Sequence, residues 1–193
     1  MHAYGYTTMV YEALSQMKSL GYDRPTHVFL QAGVGSMAGA VTAALKATYP
    51  DDMPVVSCVE PAEVACVFES MKARDGKPHT STGNNTTIMA GLNCATPCGL
   101  AWDYLRDYSD YAFAVTDEIT RQGMRLLAHP QGNDPEVVSG ESGAVTTGLV
   151  NALLNNSSYK DMEEQIGLNE KSVVLVFSTE GDTDPENYRR IID

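Results

Sequence analysis

The segment that most restricts the fold is an apolar strand running directly into a glycine turn and a helix. His27-Val28-Phe29-Leu30-Gln31 is followed by Ala32-Gly33-Val34-Gly35-Ser36-Met37-Ala38-Gly39. Glycines at Gly33 and Gly35 let the backbone come within hydrogen-bonding reach of a phosphate. A helix opening at Ser36 adds unpaired amides and the positive end of its dipole. The segment therefore predicts an anion or phosphate site over Gly33–Met37, against the plainer reading of a tight strand–helix turn. It does not say which phosphate. Gly33, Gly35 and Ala38 also satisfy the G-x-G-x-x-G/A pattern, and Glu60 ends the next strand at about the distance a ribose contact requires. A dinucleotide-binding oxidoreductase remains open at this point.

The rest of the chain repeats the same alternation. Apolar runs at His27–Gln31, Val55–Val59, Tyr111–Val115 and Ser172–Ser178 predict strands. Helical periodicity falls between them: 7–20, 36–49, 61–73, a short turn at 88–92, 100–106, 117–128, 141–154 and 159–166. Asp184 before Pro185 has the chemistry of an N-cap and first helical residue, and opens a last helix. Strands alternating with helices predict an α/β fold, an open, doubly wound, mostly parallel sheet with helices on both faces. Residues 1–193 read as a single domain.

Charge narrows the partners. Thirteen basic against twenty-five acidic residues give a net charge of −12, which disfavours nucleic acid and anionic membranes, since both need a basic face. No apolar run approaches the ~18 residues of a membrane span. The N-terminus lacks the basic and apolar regions of a signal peptide, so a cytoplasmic location is expected. Cys58, Cys66, Cys94 and Cys98 form no C-x-x-C pair and read as reduced thiols, with a Cys66–Cys94 pair as the minor alternative. His2, His27, His79 and His129 do not cluster, and His27 at a strand start reads as structural. Trp102 and the tyrosines read as core and interface material.

Two later segments carry more information. Ser139-Gly140-Glu141-Ser142-Gly143-Ala144 opens a helix with a carboxylate, hydroxyls and small residues, and Ser178-Thr179-Glu180-Gly181-Asp182-Thr183 closes a strand with hydroxyls and carboxylates. Ligands of open parallel sheets bind at the C-terminal ends of strands, where the second cluster lies. Taken with Gln31–Gly39, Val59-Glu60-Pro61, Thr87–Leu92 and Gly132-Asn133-Asp134-Pro135, these segments resemble, in order, the motifs of the diaminopropionate ammonia-lyase family.

That resemblance implies a fold-type II, tryptophan synthase β-like pyridoxal 5'-phosphate (PLP) enzyme. It implies that the amides of Gly33, Val34, Gly35, Ser36 and Met37 hold the cofactor phosphate, and that Thr179 or Ser178 sits against the pyridine nitrogen. Glu141 is implied near the ring, with Gly181 and Asp182 shaping the same wall. Glu180 and Asp182 are the candidates for meeting the substrate's amino groups. The implied reaction is α,β-elimination of 2,3-diaminopropionate to pyruvate and ammonia by a homodimer, with threonine or serine deamination as the neighbouring alternative. PLP chemistry also needs a Schiff-base lysine. In this family it precedes the glycine loop, where the chain has only Lys18 in the surface-helix context Gln-Met-Lys-Ser-Leu. The expectation is a C-terminal portion whose lysine and acid/base residues lie in a missing N-terminal part, and which is inactive alone.

Overall fold

The structure is a computed structural model that describes residues 3–193; His2 lies outside the described residues. Four parallel strands form one sheet: β1 (His27–Gln31), β2 (Val55–Pro61), β3 (Tyr111–Val115) and β4 (Val174–Leu175), in the spatial order β3-β2-β1-β4. His27 pairs with Val55 on one side and Val174 on the other, and Ser57 pairs with Tyr111. Among the described residues the eight α-helices are α1 (Ala3–Ser19), α2 (Ser36–Thr48), α3 (Cys66–Ala73), α4 (Gly99–Tyr108), α5 (Asp117–Ala128), α6 (Glu141–Asn155), α7 (Lys160–Ile166) and α8 (Pro185–Ile192). Among the described residues, no helix is long and apolar enough to cross a membrane.

Strand side chains alternate between two cores, as a period of two requires. Val28, Leu30, Val56 and Cys58 pack with Val10 and Leu14 of α1, Val41 and Leu45 of α2, and Trp102 and Leu105 of α4. Phe29, Val59 and Val115 point the other way, onto Val145, Leu149 and Leu153 of α6 and Ile166 of α7. The sheet is thus covered on both faces, as the near-continuous apolar strands predicted. Phe29 and Leu30 are fully buried, and each contributes about 1.5–3 kcal/mol of burial energy. His27 is also buried; its Nε2 donates to the Ile166 carbonyl at 2.8 Å, a structural bond between β1 and α7.

Three elements differ from expectation. The helix expected over 7–20 runs from Ala3 to Ser19, so Leu20 lies past its end and is 75% exposed. The helix stops because Gly21, at φ +88°, turns the chain away. The predicted helix 61–73 is split, with a 3-10 turn at Ala62–Val64 and α3 beginning only at Cys66. The cause is Glu60, whose carboxylate reaches forward to accept from the amides of Val67 and Phe68. The predicted strand 172–178 keeps only Val174–Leu175 in the ladder. Beyond them Gln31 substitutes its side chain for the backbone rung, donating to the Phe177 carbonyl at 2.7 Å.

Helices α5 and α6 touch backbone to backbone. A Cβ on Gly148 would lie 2.0 Å from the Ile119 carbonyl oxygen, and one on Gly123 would lie 2.2 Å from that of Ala144. Only glycine fits at such crossings.

Candidate functional site

The chain runs from β1 to β2 to β3 in one direction, then returns to place β4 on the far side of β1. This reversal opens a crevice at the carboxyl ends of β1 and β4, where doubly wound sheets bind ligands. A cavity of ≈ 380 Å³ occupies it. The stretch Gln31–Met37 forms its floor, Gly91, Leu92 and Cys94 one wall, Ser142, Thr179 and Glu180 another, and Tyr6 of α1 contributes an aromatic edge.

The floor is built for an anion. Gly35 is the N-cap of α2 at φ +80°, ψ 4°, and offers no side chain to cap the helix. The first amides of any α-helix lack intrahelical acceptors, so those of α2 face the cavity with the helix dipole behind them. Gly33 is pressed against the opposite wall: a Cβ there would sit 3.1 Å from Leu92 Cα. Beneath the turn, the buried Cys66 thiol donates to the Gly33 carbonyl at 3.5 Å. Burial, and then the neighbouring Glu60, push this thiol up to about 12, so the proton stays in place for that bond. The Ser36 hydroxyl holds the neighbouring Cys98 thiol below the usual cysteine range.

The two serine-rich motifs and the 88–92 segment close into one unit. Ser142 N donates to Glu180 Oε2 at 2.6 Å, and Gly140 N donates to the Glu180 carbonyl at 2.9 Å. The Ser142 hydroxyl in turn accepts from Gly91 N at 3.2 Å. Ser178 donates to the Ser139 hydroxyl at 2.9 Å, whereas Thr179 lines the cavity and accepts from Gln31 Nε2 at 3.1 Å.

Most of the site residues expected from the sequence therefore converge: Gly33, Val34, Gly35, Ser36, Met37 and Thr179 share one cavity. Ser178 and Glu141 are not among its lining residues. Ser178 is drawn to Ser139, and Glu141 faces α8, where its Oε1 accepts from Asn187. Glu180, a candidate for meeting the substrate's amino groups, lines the wall, whereas Gly181 and Asp182 are not among the lining residues. Sequence reasoning missed Tyr6, Gly91, Cys94 and Ser142 as lining residues. Gly91 and Ser142 lie inside motifs that had already been singled out; Tyr6 lies one residue before the helix expected over 7–20, which in the structure begins at Ala3.

Glu60 does not support the dinucleotide alternative. It is fully buried near the end of the internal strand β2 and is spent on capping α3. Burial pushes its carboxyl up to about 7, against the opposing pull of the Val67 and Phe68 amides. An acid whose folded value lies above its ordinary 4.5 stabilises the fold fully below pH 4.5, and that contribution is lost as pH rises through 7. The expected loss is on the order of 3 kcal/mol. Urea unfolding at pH 5 and pH 8 should show a larger drop for the native chain than for Glu60→Gln, which cannot titrate. Equal drops would show that the carboxylate is ionised throughout.

Residues 2–178 match the pyridoxal-phosphate dependent enzyme family, and the chain belongs to it, with the fold-type II architecture. Within that family it is 40% identical over 189 residues to the diaminopropionate ammonia-lyase of Salmonella typhimurium LT2, a match over 97% of this chain and 47% of that protein. It is 42% identical over 188 residues to the Escherichia coli K12 enzyme of the same name, covering 97% and 46%. A crystal structure of Escherichia coli diaminopropionate ammonia lyase, in complex with an aminoacrylate-PLP azomethine reaction intermediate, superposes with a TM-score of 0.89 at 41% identity. That superposition covers 98% of this chain and 47% of that one. The chain thus spans about half the length of the relatives it matches.

The residues fit the family's cofactor. The turn supplies amide donors for a phosphate at a place where a side chain on Gly33 would meet the facing backbone, and a neutral hydroxyl, Thr179, stands in the same cavity. All four cysteines are free thiols, including Cys66 and Cys94.

Proposed function

We propose that this chain provides the phosphate-holding wall of a PLP enzyme that removes ammonia from 2,3-diaminopropionate and leaves pyruvate. The observation that carries the reading is the amide-lined turn at the sheet's reversal, closed by Glu180, Ser142 and Gly91. The substrate follows the relatives that match the chain along nearly its whole length.

When bound, PLP supplies an electron sink for the pair left behind as the substrate's α-proton departs. The amides of Gly33–Met37 would grip its phosphate and fix its tilt. Thr179, a neutral hydroxyl where a carboxylate would force a proton onto the ring nitrogen, would make that sink milder. A milder sink favours prompt loss of the β-amino group. Glu180 contributes a negative wall for ammonium groups, although its Oε2 is already engaged by Ser142 N. The Schiff-base lysine and the acid that serves the leaving ammonia would come from a part of the protein beyond this chain. We read the whole as a cytoplasmic homodimer. Leu100, Tyr104 and Tyr108, exposed at four-residue spacing along α4, supply apolar surface that such an assembly would bury.

The test is a comparison of kcat/KM in the assembled enzyme. A site built around two amino groups should prefer 2,3-diaminopropionate over serine or threonine by about 100-fold or more. Faster turnover of either hydroxy amino acid would move the assignment to the dehydratase side of the family.

A further inference from the structure

Gln31 is the last residue of β1 and only 3% exposed, yet it lines the cavity. Both of its amide protons are committed: one goes to the Phe177 carbonyl at 2.7 Å, the other to Thr179 Oγ1 at 3.1 Å. Its Oε1 is buried and has no hydrogen-bond partner. An orphaned buried acceptor is destabilising, a cost that an apolar residue at this position would avoid. The amide cannot be turned over to relieve it, because the oxygen would then face the Phe177 carbonyl. What the arrangement secures is two donated bonds to the segment that leaves β4.

The second bond has a directional consequence. A hydroxyl carries one proton. Because Thr179 Oγ1 accepts from Gln31, its own proton is left to be donated elsewhere, and Thr179 is exposed on the cavity side. We propose that Gln31 is a positioning residue that sets the Thr179 hydroxyl as a hydrogen-bond donor into the cavity, so that the site selects a ring nitrogen in its unprotonated form. The inference rests on the reading of Thr179 as the partner of the cofactor's ring nitrogen. It extends that reading by assigning the residue that orients the hydroxyl.

The experiment uses 4-deoxypyridoxine 5'-phosphate, an analogue of the cofactor without the aldehyde, so that no lysine is needed. The ring nitrogen's protonation is followed by ¹⁵N NMR of labelled probe saturating this chain, across a pH series. In parallel, inorganic phosphate is used to displace the probe. The native chain should hold the nitrogen unprotonated to a pH roughly one unit below the midpoint of the free probe. Gln31→Met should return the midpoint toward the free value while leaving phosphate affinity within about twofold. Gln31→Glu, close in shape but unable to donate twice, forces Thr179 to donate backward and should raise the midpoint above that of Gln31→Met. Thr179→Val should also abolish the depression, and adding Gln31→Met to it should produce no further shift.

If Thr179→Val moves the midpoint while Gln31→Met and Gln31→Glu both leave it at the native value, the positioning role is overturned and the reading of Thr179 stands. If Thr179→Val leaves the midpoint unmoved, the underlying reading of Thr179 is the one that fails, and the inference falls with it. A purely structural Gln31 would weaken phosphate binding in both variants without moving the midpoint. Should Gln31→Met fail to fold, which circular dichroism would show, the Gln31→Glu midpoint decides alone.

Discussion

Incubated with PLP and 2,3-diaminopropionate, this chain by itself is expected to release no pyruvate above the rate given by the free cofactor. The expectation comes from where its lysines stand. None of Lys18, Lys46, Lys72, Lys77, Lys160 and Lys171 lines the cavity. Lys46 donates to the Pro50 carbonyl and lies over the Tyr108 ring, at the far end of α2 from the glycine turn. Lys72 pairs with Glu69 across one turn of α3, and Lys160 with Glu163 on α7. Lys18, Lys77 and Lys171 are exposed. An amine activated for covalent work must reach the reacting carbonyl and shed its proton, which calls for desolvation or a neighbouring cation. None of these six has such a setting. A coupled lactate dehydrogenase assay measures the pyruvate, and borohydride treatment followed by peptide mass spectrometry detects any fixed pyridoxyl group. Pyruvate release together with a label on one lysine would overturn the expectation.

The second large effect is predicted at Gly35. Gly35→Val should reduce the affinity of the turn for inorganic phosphate at least about tenfold and destabilise the chain by several kcal/mol. Two costs add. A β-branched residue at φ +80° is strained by roughly 1–3 kcal/mol. Its Cβ would also stand 2.8 Å from Leu105 Cδ1, with Val67 Cγ2 at 3.7 Å behind it, and overpacking of this kind costs about 1–3 kcal/mol more. Relieving either cost moves the amides of Ser36 and Met37 off their lines toward the anion. Gly35→Ala bears the backbone strain with less bulk and should fall between the two. Isothermal titration with phosphate, alongside urea unfolding, separates loss of the cup from loss of the fold. A Gly35→Val chain that folds and binds phosphate as before would make the turn a structural connection only.

Much of the fold was legible because each element carried its own local signal. The apolar run His27–Gln31 and the helix 117–128 appear with the boundaries read from sequence. Two of the failures occurred where a distant group overruled local pattern. Glu60 sets the start of α3 from another element, and nothing in 61–73 announces it. The Gln31 side chain ends the β1–β4 ladder early, while 172–178 reads as uniformly strand-like. The site shows the same division. The glycine turn could be read from spacing because backbone geometry dictates it. The settings of Glu141 and Glu180 could not: only the docking of α6 onto the segment after β4 places Glu180 on the cavity wall and turns Glu141 to Asn187. Nor does the sequence show that Ser178 bonds to Ser139 while Thr179 lines the cavity.

The backbone contact between α5 and α6 bears on how this site can adjust when something enters it. With no side chains between the helices at Gly123 and Gly148, there is no layer of rotamers to absorb sliding, and interiors packed this tightly transmit displacement. Ser142 sits on the first turn of α6, so re-aiming its hydroxyl by tilting that helix must carry α5 along. Arg125 of α5 donates to the Ile191 carbonyl of α8, so the C-terminal helix is carried with them. The wall holding Ser142 is therefore one stiff three-helix plate, and accommodation of a ligand falls to the loop-borne residues that face it.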